Sequence, residues 1–301
     1  MRFLRTMVVL ASAALFASLA TLGQAAATPP AATPASAPPA TDASLPVPQR
    51  VFYESNGLRL RAYLYVPSGA GPFPVYLWNH GSEPNPVADR KLAQFWLAQG
   101  FAYFKPIRSG QGGNPGTYIG DEEKPILQAA RAGKITHAES YKEIIALHER
   151  ANEDVIAAYR WLIGQSFVDK QRMVVGGGSY GGIQSLLTYE ADAKQKLGIR
   201  CFIAMSPAAE SWNPGWAARL TQAVNASKTP LFLLQAHNDY NLGPSKTLGP
   251  LIDAKGLPSR HMIFPVYGNP ADHTQGHAGF MTDPAAWGTQ VLQYLKDCGV
   301  M

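Results

Sequence analysis

The chain has 301 residues, of which 46% are hydrophobic and 16% charged, and its formal net charge is +5. This composition excludes an intrinsically disordered protein and is sufficient for one large α/β domain with a substantial core. The basic residues are scattered and form no cluster with aromatic residues, so we expect no nucleic-acid partner.

The first 27 residues have the pattern of a secretory signal peptide. Arg2 and Arg5 supply positive charge, residues 7–22 are apolar and rich in alanine, and the three alanines 25–27 offer a small-residue cleavage site. An uncleaved membrane anchor is the alternative, but the apolar run is short for a membrane span and no positively charged stop-transfer cluster follows it. We therefore expect a periplasmic or secreted protein that keeps no stable membrane anchor after cleavage.

Residues 28–48 consist almost entirely of Ala, Pro, Thr and Ser, and seven of them are prolines. Such a segment favours extended, solvated backbone and cannot build a core, so we interpret it as a linker. The folded domain is then predicted to comprise residues 49–301.

Strand and helix patterns alternate along this domain. Asn56-Gly57 is a strong tight-turn signal and predicts an opening β-hairpin, while Asp283 and Pro284 are placed to begin the last helix. Such alternation predicts an α/β fold with a mostly parallel sheet covered by helices on both faces. The predicted strands are residues 50–54, 58–66, 73–78, 101–107, 173–178, 200–205, 231–235 and 261–266; the helices are 89–99, 137–162, the segment after 179 and 284–297; residues 108–120 are a glycine-rich loop and 168–172 a polar turn.

Ser179 lies in the sequence Gly177-Gly178-Ser179-Tyr180-Gly181, between a strand pattern and a helix pattern. Gly-x-Ser-x-Gly is what a sharp strand–turn–helix needs to present a serine hydroxyl as a nucleophile, because the strained turn admits only small residues two positions away. The alternative is a glycine-rich turn with an incidental serine. The motif alone is weak, so the interpretation depends on partners elsewhere in the chain.

A serine nucleophile needs a general base and a group that orients the base. Asp239 follows the predicted strand 231–235, and its carboxylate could orient an imidazole; the alternative is a turn aspartate bonded to local backbone. His273 and His277 both lie between the last strand and the last helix, so position alone makes either a candidate base.

The four-residue spacing of the two histidines also suits a metal site, because on a helix it places both imidazoles on one face. However, Gly276 and Gly279 argue against a helix there, and no third ligand is evident. We therefore expect neither a metal nor another cofactor.

Attack on a carbonyl creates an oxyanion that backbone N–H groups must stabilise. One N–H is expected from Tyr180, at the start of the helix after the nucleophile. The other is expected from the loop after the third predicted strand, from Ser82 or else Glu83, since Pro84 has no N–H. His80, at the start of that loop, is expected to be a hydrogen-bonded structural residue rather than a catalyst.

Together these residues resemble the α/β-hydrolase superfamily, closest to its dienelactone hydrolase and prolyl oligopeptidase branches. The resemblance implies an eight-stranded, mostly parallel sheet, an acyl-enzyme, and a triad of Ser179, Asp239 and His277, with His273 as the alternative base. Dienelactone hydrolases proper use cysteine inside the cell, and prolyl oligopeptidases carry a propeller domain, so the chain departs from both. The matching pieces are His80-Gly81, residues 177–182, Asp239 with Leu242, and Gly276-His277 with Phe280, in the order Ser, Asp, His.

The sequence thus predicts a serine esterase acting on a small-molecule ester. An exopeptidase or amidase of the prolyl oligopeptidase type would use the same residues and stays open, and a non-catalytic binding protein on a hydrolase scaffold is a third possibility. The segments 108–135 and 207–220 follow strands and are expected to form pocket walls or lids. Trp212 and Trp216 could line a substrate pocket there, or could pack the second segment onto the sheet.

Two cysteines, Cys201 and Cys298, are predicted to be buried free thiols, although an oxidising compartment would permit a disulfide.

Overall fold

The computed structural model describes residues 45–301. The predicted signal peptide, 1–27, and most of the predicted linker, 28–48, lie outside the described residues and stay predictions. Within the described part of the chain, no helix is both long enough and apolar enough to cross a membrane.

An eight-stranded, mostly parallel sheet organises the described residues, and it confirms the predicted fold class. Its strand order is β1-β2-β4-β3-β5-β6-β7-β8. The pairs β1–β2 and β2–β4 are antiparallel and the remaining pairs are parallel. The strands are β1 Gln49–Ser55, β2 Leu58–Tyr65, β3 Phe73–Asn79, β4 Ala102–Pro106, β5 Val168–Gly178, β6 Cys201–Met205, β7 Leu231–Ala236 and β8 Arg260–Phe264.

Helices cover both faces of the sheet and complete two separate hydrophobic cores. Residues of α3 to α6 pack on one face, and residues of α1 and α8 pack on the other. The central strands are buried on both sides, as their long apolar runs require. The helices are α1 Arg90–Ala98, α2 Ile119–Arg131, α3 His137–Ile163, α4 Tyr180–Gln195, α5 Pro214–Asn225, α6 Gly243–Asp253, α7 Phe280–Thr282 and α8 Pro284–Asp297.

Two local predictions are confirmed by backbone and side-chain geometry. Asn56 and Gly57 both adopt positive φ values, 48° and 75°, in the turn between β1 and β2. This is the conformation that makes Asn-Gly favourable in a two-residue hairpin turn. The side chain of Asp283 accepts a hydrogen bond from the Ala285 N–H at 3.1 Å and so caps α8.

Other local predictions are wrong. Residues 168–172 are not a turn but the first part of β5, because Val168 pairs with Phe73 ahead of an irregularity in the β3–β5 ladder. Helices α2, α5 and α6 were not predicted. The first contains Pro125 and the last contains Pro250, and proline normally argues against a helix interior.

The parallel strands β3, β5, β6 and β7 end at the same edge of the sheet. In such sheets the loops at the carboxyl ends of the strands hold ligands. Ser179 follows β5, Asp239 follows β7, and the loop from residue 80 follows β3. This edge therefore gathers the chemically important residues from distant parts of the sequence.

Candidate active site

Ser179 occupies a strained turn between β5 and α4, with φ 57° and ψ −120°. Such a backbone conformation costs on the order of 1–3 kcal/mol and persists only where the surroundings enforce it. A Cβ at Gly177 would lie 2.4 Å from the Gly181 carbonyl oxygen, and a Cβ at Gly181 would lie 1.8 Å from that of Asn79. Both positions therefore require glycine. The turn is further held by the Ser179 N–H, which donates to the Met205 carbonyl at 3.0 Å.

Asp239 and His277 form a buried pair at the same edge of the sheet. The imidazole Nδ1 donates to Asp239 Oδ1 at 2.7 Å, and Asp239 also accepts from the Tyr240 N–H at 2.7 Å and from Gln235 Nε2 at 2.8 Å. A carboxylate on Nδ1–H fixes the tautomer that leaves Nε2 as the basic atom. His277 Nε2 has no hydrogen-bond partner among residues 45–301.

His277 is carried by a π-helical turn, Gln275–Gly279, that continues into α7. The expectation that Gly276 and Gly279 would prevent a helix is therefore wrong. Gly276 instead permits close packing, since a Cβ there would lie 2.4 Å from the Asn238 carbonyl oxygen. This contact places the turn directly against the loop that carries Asp239.

His273 has different surroundings. Its ring is exposed, and its Nδ1 lies 3.1 Å from the Asn238 carbonyl oxygen rather than beside the Asp239 carboxylate. Tyr240 lies beside both histidines, with ring centroids 5.9 Å from His273 and 5.3 Å from His277. The structure thus associates His277, and not His273, with Asp239. Among the residues described, no three His, Cys, Asp or Glu side chains are grouped to hold a metal ion.

The loop after β3 runs beside Ser179. A Cβ at Gly81 would lie 3.9 Å from Ser179 Cβ, which is an ordinary contact distance between neighbouring segments. Ser82 follows directly and lines the same cavity as Ser179 and Tyr180. The predicted oxyanion donors, the N–H groups of Tyr180 and Ser82, therefore belong to segments that meet at Ser179.

Comparison with known proteins yields the same architecture. The prolyl oligopeptidase family pattern matches residues 133–209, which include the Ser179 turn. The hyperthermophilic esterase from the archaeon Pyrobaculum calidifontis superposes with a TM-score of 0.56, covering 86% of each chain at 13% identity. The chain has the α/β-hydrolase fold.

Two further proteins similar to this chain are named as peptidases. The probable dipeptidyl-aminopeptidase B of Aspergillus terreus is 29% identical over 126 residues, which are 41% of this chain but only 12% of that protein. The uncharacterized peptidase YtmA of Bacillus subtilis is 24% identical over 202 residues, 64% of this chain and 73% of that protein. The chain is thus similar both to proteins named as peptidases and to an esterase.

Ser179 lines a cavity of about 490 Å³. Trp212 and Trp216 both line it; Trp216 is buried and its ring meets that of His148 edge-on, with centroids 4.8 Å apart. Glu123 and Glu210 also line it, and among the described lining residues there is no lysine or arginine. The cavity is therefore aromatic and carries negative rather than positive side chains.

His148 is a cavity residue that sequence reasoning missed. Its Nε2 donates to Glu123 Oε1 at 2.7 Å, and its ring meets Tyr180 edge-on at 4.4 Å. Burial lowers the pKa of His148, although the neighbouring Glu123 acts in the opposite direction. The imidazole is therefore neutral near pH 7. A histidine inside a long amphipathic helix gives no sequence signal of such a role.

His80, the first residue of the loop after β3, is fully buried. Its burial agrees with the structural role expected for it. Burial and the nearby Arg108 charge lower its pKa well below the usual value. Arg108 itself is also buried, and its guanidinium carbon lies 4.2 Å from the centre of the Tyr180 ring. Sequence reasoning placed Arg108 in a loop and assigned it no role.

Proposed function

We propose that this hydrolase is a serine esterase with Ser179 as nucleophile, His277 as general base and Asp239 as the group that orients the base. The observation that carries the proposal is the buried Asp239–His277 hydrogen bond of 2.7 Å, which leaves Nε2 without a partner among residues 45–301, at the sheet edge where Ser179 occupies a strained turn. A carboxylate on Nδ1 stabilises the imidazolium that forms when the histidine accepts a proton.

The reaction follows from these positions. His277 Nε2 removes the Ser179 proton as Oγ attacks the ester carbonyl, and the backbone N–H groups of Tyr180 and Ser82 stabilise the oxyanion. His277 then protonates the leaving alcohol, which gives an acyl-serine. A water molecule, deprotonated by His277, attacks the acyl carbonyl and releases the carboxylic acid.

The ester specificity is supported by the similarity in architecture to a known esterase. That esterase superposes on this chain with a TM-score of 0.56. The cavity with Trp212 and Trp216 suits an aromatic or aliphatic substrate group, because aromatic side chains bury large apolar areas. We further propose a periplasmic or secreted enzyme, on the signal-peptide pattern of residues 1–27.

Exopeptidase or amidase activity is the second candidate. The match of the prolyl oligopeptidase family to residues 133–209 favours it, and both named relatives are peptidases. The same triad could act on an amide, with His277 protonating the leaving amine.

Ser179→Ala tests the shared chemistry, and matched substrates test the bond. Purified protein is assayed on a short-chain aryl ester and on the aryl amide with the same acyl group. We expect ester turnover that Ser179→Ala lowers by several orders of magnitude. Turnover that persists in Ser179→Ala would refute the nucleophile, and a faster rate on the amide would assign the enzyme to the second candidate.

A further inference from the structure

Hydrogen bonds join the loop after β3 to the segment after β4 along the whole of residues 80–84. Each backbone carbonyl from residue 80 to residue 84 accepts a hydrogen bond from the segment 108–118. The donors are Arg108 Nη2 to the carbonyls of His80 at 2.9 Å and Gly81 at 2.7 Å, the Tyr118 hydroxyl to that of Ser82 at 2.6 Å, Gln111 Nε2 to that of Glu83 at 2.7 Å, and the Gly112 N–H to that of Pro84 at 2.8 Å.

These bonds determine where the N–H groups of the loop point. In a planar trans peptide, the carbonyl of one residue and the N–H of the next point in opposite directions. The Gly81 carbonyl points at Arg108, so the Ser82 N–H points away from Arg108. The orientation of the proposed oxyanion donor is therefore set by the bond between Arg108 and Gly81.

Arg108 also contacts the residue that supplies the other donor. Its guanidinium lies over the Tyr180 ring at 4.2 Å, within the range of a cation–π interaction. Tyr180 is the first residue of α4, and its ring is held from a second side by His148. One side chain thus touches both segments that supply the proposed N–H donors.

Arg108 forms no direct ion pair within residues 45–301, although the buried carboxylate of Asp154 lines a cavity with it and accepts from the neighbouring Ser109 N–H at 2.8 Å. Arg108 is 1% exposed, and its Nε and Nη1 atoms have no hydrogen-bond partner in the described part of the chain. A buried cation in contact with the loop of one proposed donor and the ring of the other favours the formation of negative charge near them, because electrostatic interactions are strong in a low-dielectric interior.

We propose that Arg108 is the positioning residue of the oxyanion hole, which orients the Ser82 peptide through the Gly81 carbonyl and holds the start of α4 through the Tyr180 ring. The inference rests on the proposed serine-hydrolase mechanism and adds a residue that does not touch the substrate. It accounts for a buried arginine that the triad chemistry leaves without a role.

Two substitutions each remove one property of the Arg108 side chain. Arg108→Lys keeps the charge and loses the planar fork, whereas Arg108→Gln keeps an N–H donor and loses the charge. Arg59→Met is the matched control, because Arg59 also lies over an aromatic ring, Phe52, at 4.0 Å, but on the β1–β2 hairpin. All three are compared with the wild type for ester hydrolysis and for affinity towards an aryl boronic acid, which forms an anionic tetrahedral adduct with an active serine.

Both Arg108 variants are expected to lower kcat by about 100-fold, the scale of losing one oxyanion donor, with KM changed less than about threefold. Boronate affinity should fall in parallel, while affinity for the neutral amide analogue of the substrate stays unchanged. Arg59→Met should match the wild type in every measurement. A merely structural role would change both affinities together.

Circular dichroism and thermal unfolding establish that each variant is folded. Folded Arg108 variants whose kcat and boronate affinity lie within twofold of Arg59→Met would overturn the proposal. Loss of the native spectrum in both Arg108 variants would also overturn it, because Arg108 would then serve the fold. A wild-type protein that neither hydrolyses esters nor reacts with a fluorophosphonate probe at Ser179 would instead refute the serine-hydrolase mechanism, and Arg108's role with it.

Discussion

His277 donates from Nδ1 to Asp239 Oδ1 across 2.7 Å, and both side chains are buried. Asp239→Asn keeps the size and shape of the side chain. It replaces the carboxylate by a neutral amide, which has one acceptor oxygen and one donor nitrogen. We expect kcat on an aryl ester to fall by about 10³- to 10⁴-fold, because the amide favours the wrong imidazole tautomer and cannot stabilise the imidazolium. Steady-state kinetics measure this, and a loss below about tenfold would contradict an orienting role for Asp239.

The two histidines can be separated by parallel substitutions. His277→Ala should abolish turnover to the level of Ser179→Ala, whereas His273→Ala should stay within about threefold of the wild type, since His273 is exposed and bonds to a backbone carbonyl rather than to Asp239. Rates on the same ester, normalised to the concentration of folded protein, decide between them. Equal losses in the two variants would contradict the assignment of the base.

Part of this site is predictable because steric and topological rules are strict. Gly177 and Gly181 have no space for a Cβ, so a turn of this kind requires glycines that can be recognised in the sequence. The position of Asp239 follows from the rule that active residues come after parallel strands. By contrast, the π-helical turn under His277 depends on Gly276 packing against Asn238, a tertiary contact that local sequence patterns do not report.

The role of Arg108 is unpredictable for a related reason. Its partners are backbone carbonyls of residues 80 and 81, and a carbonyl acceptor is present at every position of every sequence. The choice between His273 and His277 likewise rested on resemblance, since both occupy the same loop. Local patterns predict elements and turns, whereas side-chain bonds to a distant backbone become visible only in three dimensions.

The carboxylates of the cavity predict a charge preference. Glu123 and Glu210 line the cavity without a lysine or arginine among its described residues. Esters whose acyl group carries an ammonium should therefore show higher kcat/KM than isosteric carboxylate-bearing esters. Glu210→Gln should reduce the ratio of kcat/KM for the ammonium ester to kcat/KM for the carboxylate ester by about 1.4- to 5-fold, the range for an exposed charge pair. Added salt should reduce this ratio further.

The control for this charge effect is Glu143→Gln, which removes an exposed carboxylate of α3 that does not line the cavity. The ratio of ammonium to carboxylate ester turnover in this variant should equal that of the wild type at each salt concentration. If the wild-type ratio does not change with salt concentration, or if it favours the carboxylate ester, the cavity does not bind the charged group.

The two cysteines are predicted to resist thiol reagents in the folded protein. Cys201 and Cys298 are free and buried. Burial raises the pKa of Cys201 well above its ordinary value, whereas a hydrogen bond with Cys201 lowers the pKa of Cys298. Because burial keeps the reagent from both sulfur atoms, Ellman's reagent at pH 8 should titrate fewer than one thiol per folded chain and two after unfolding in guanidinium chloride. If no thiol is titrated after unfolding without reductant, the two cysteines instead form a disulfide.

Two buried histidines predict how stability depends on pH. The folded-state pKa values of His80 and His148 are lowered, chiefly by burial. In the unfolded chain both titrate near 6.5, so below that pH the unfolded state binds more protons than the folded state. Stability is therefore fully present above about pH 6.5 and falls as the pH drops, by up to about 1.4 kcal/mol per pH unit for each histidine.

Urea unfolding at pH 7.5, 6.5 and 5.5 measures this dependence, within a range where the bridged carboxylates of Asp169 and Asp297, whose pKa values are lowered, stay ionised. His148→Gln removes one of the two titrating groups and should reduce the slope between pH 6.5 and 5.5 to about half. An unfolding free energy that stays constant over this range would show that both imidazoles can be protonated inside the folded protein without cost.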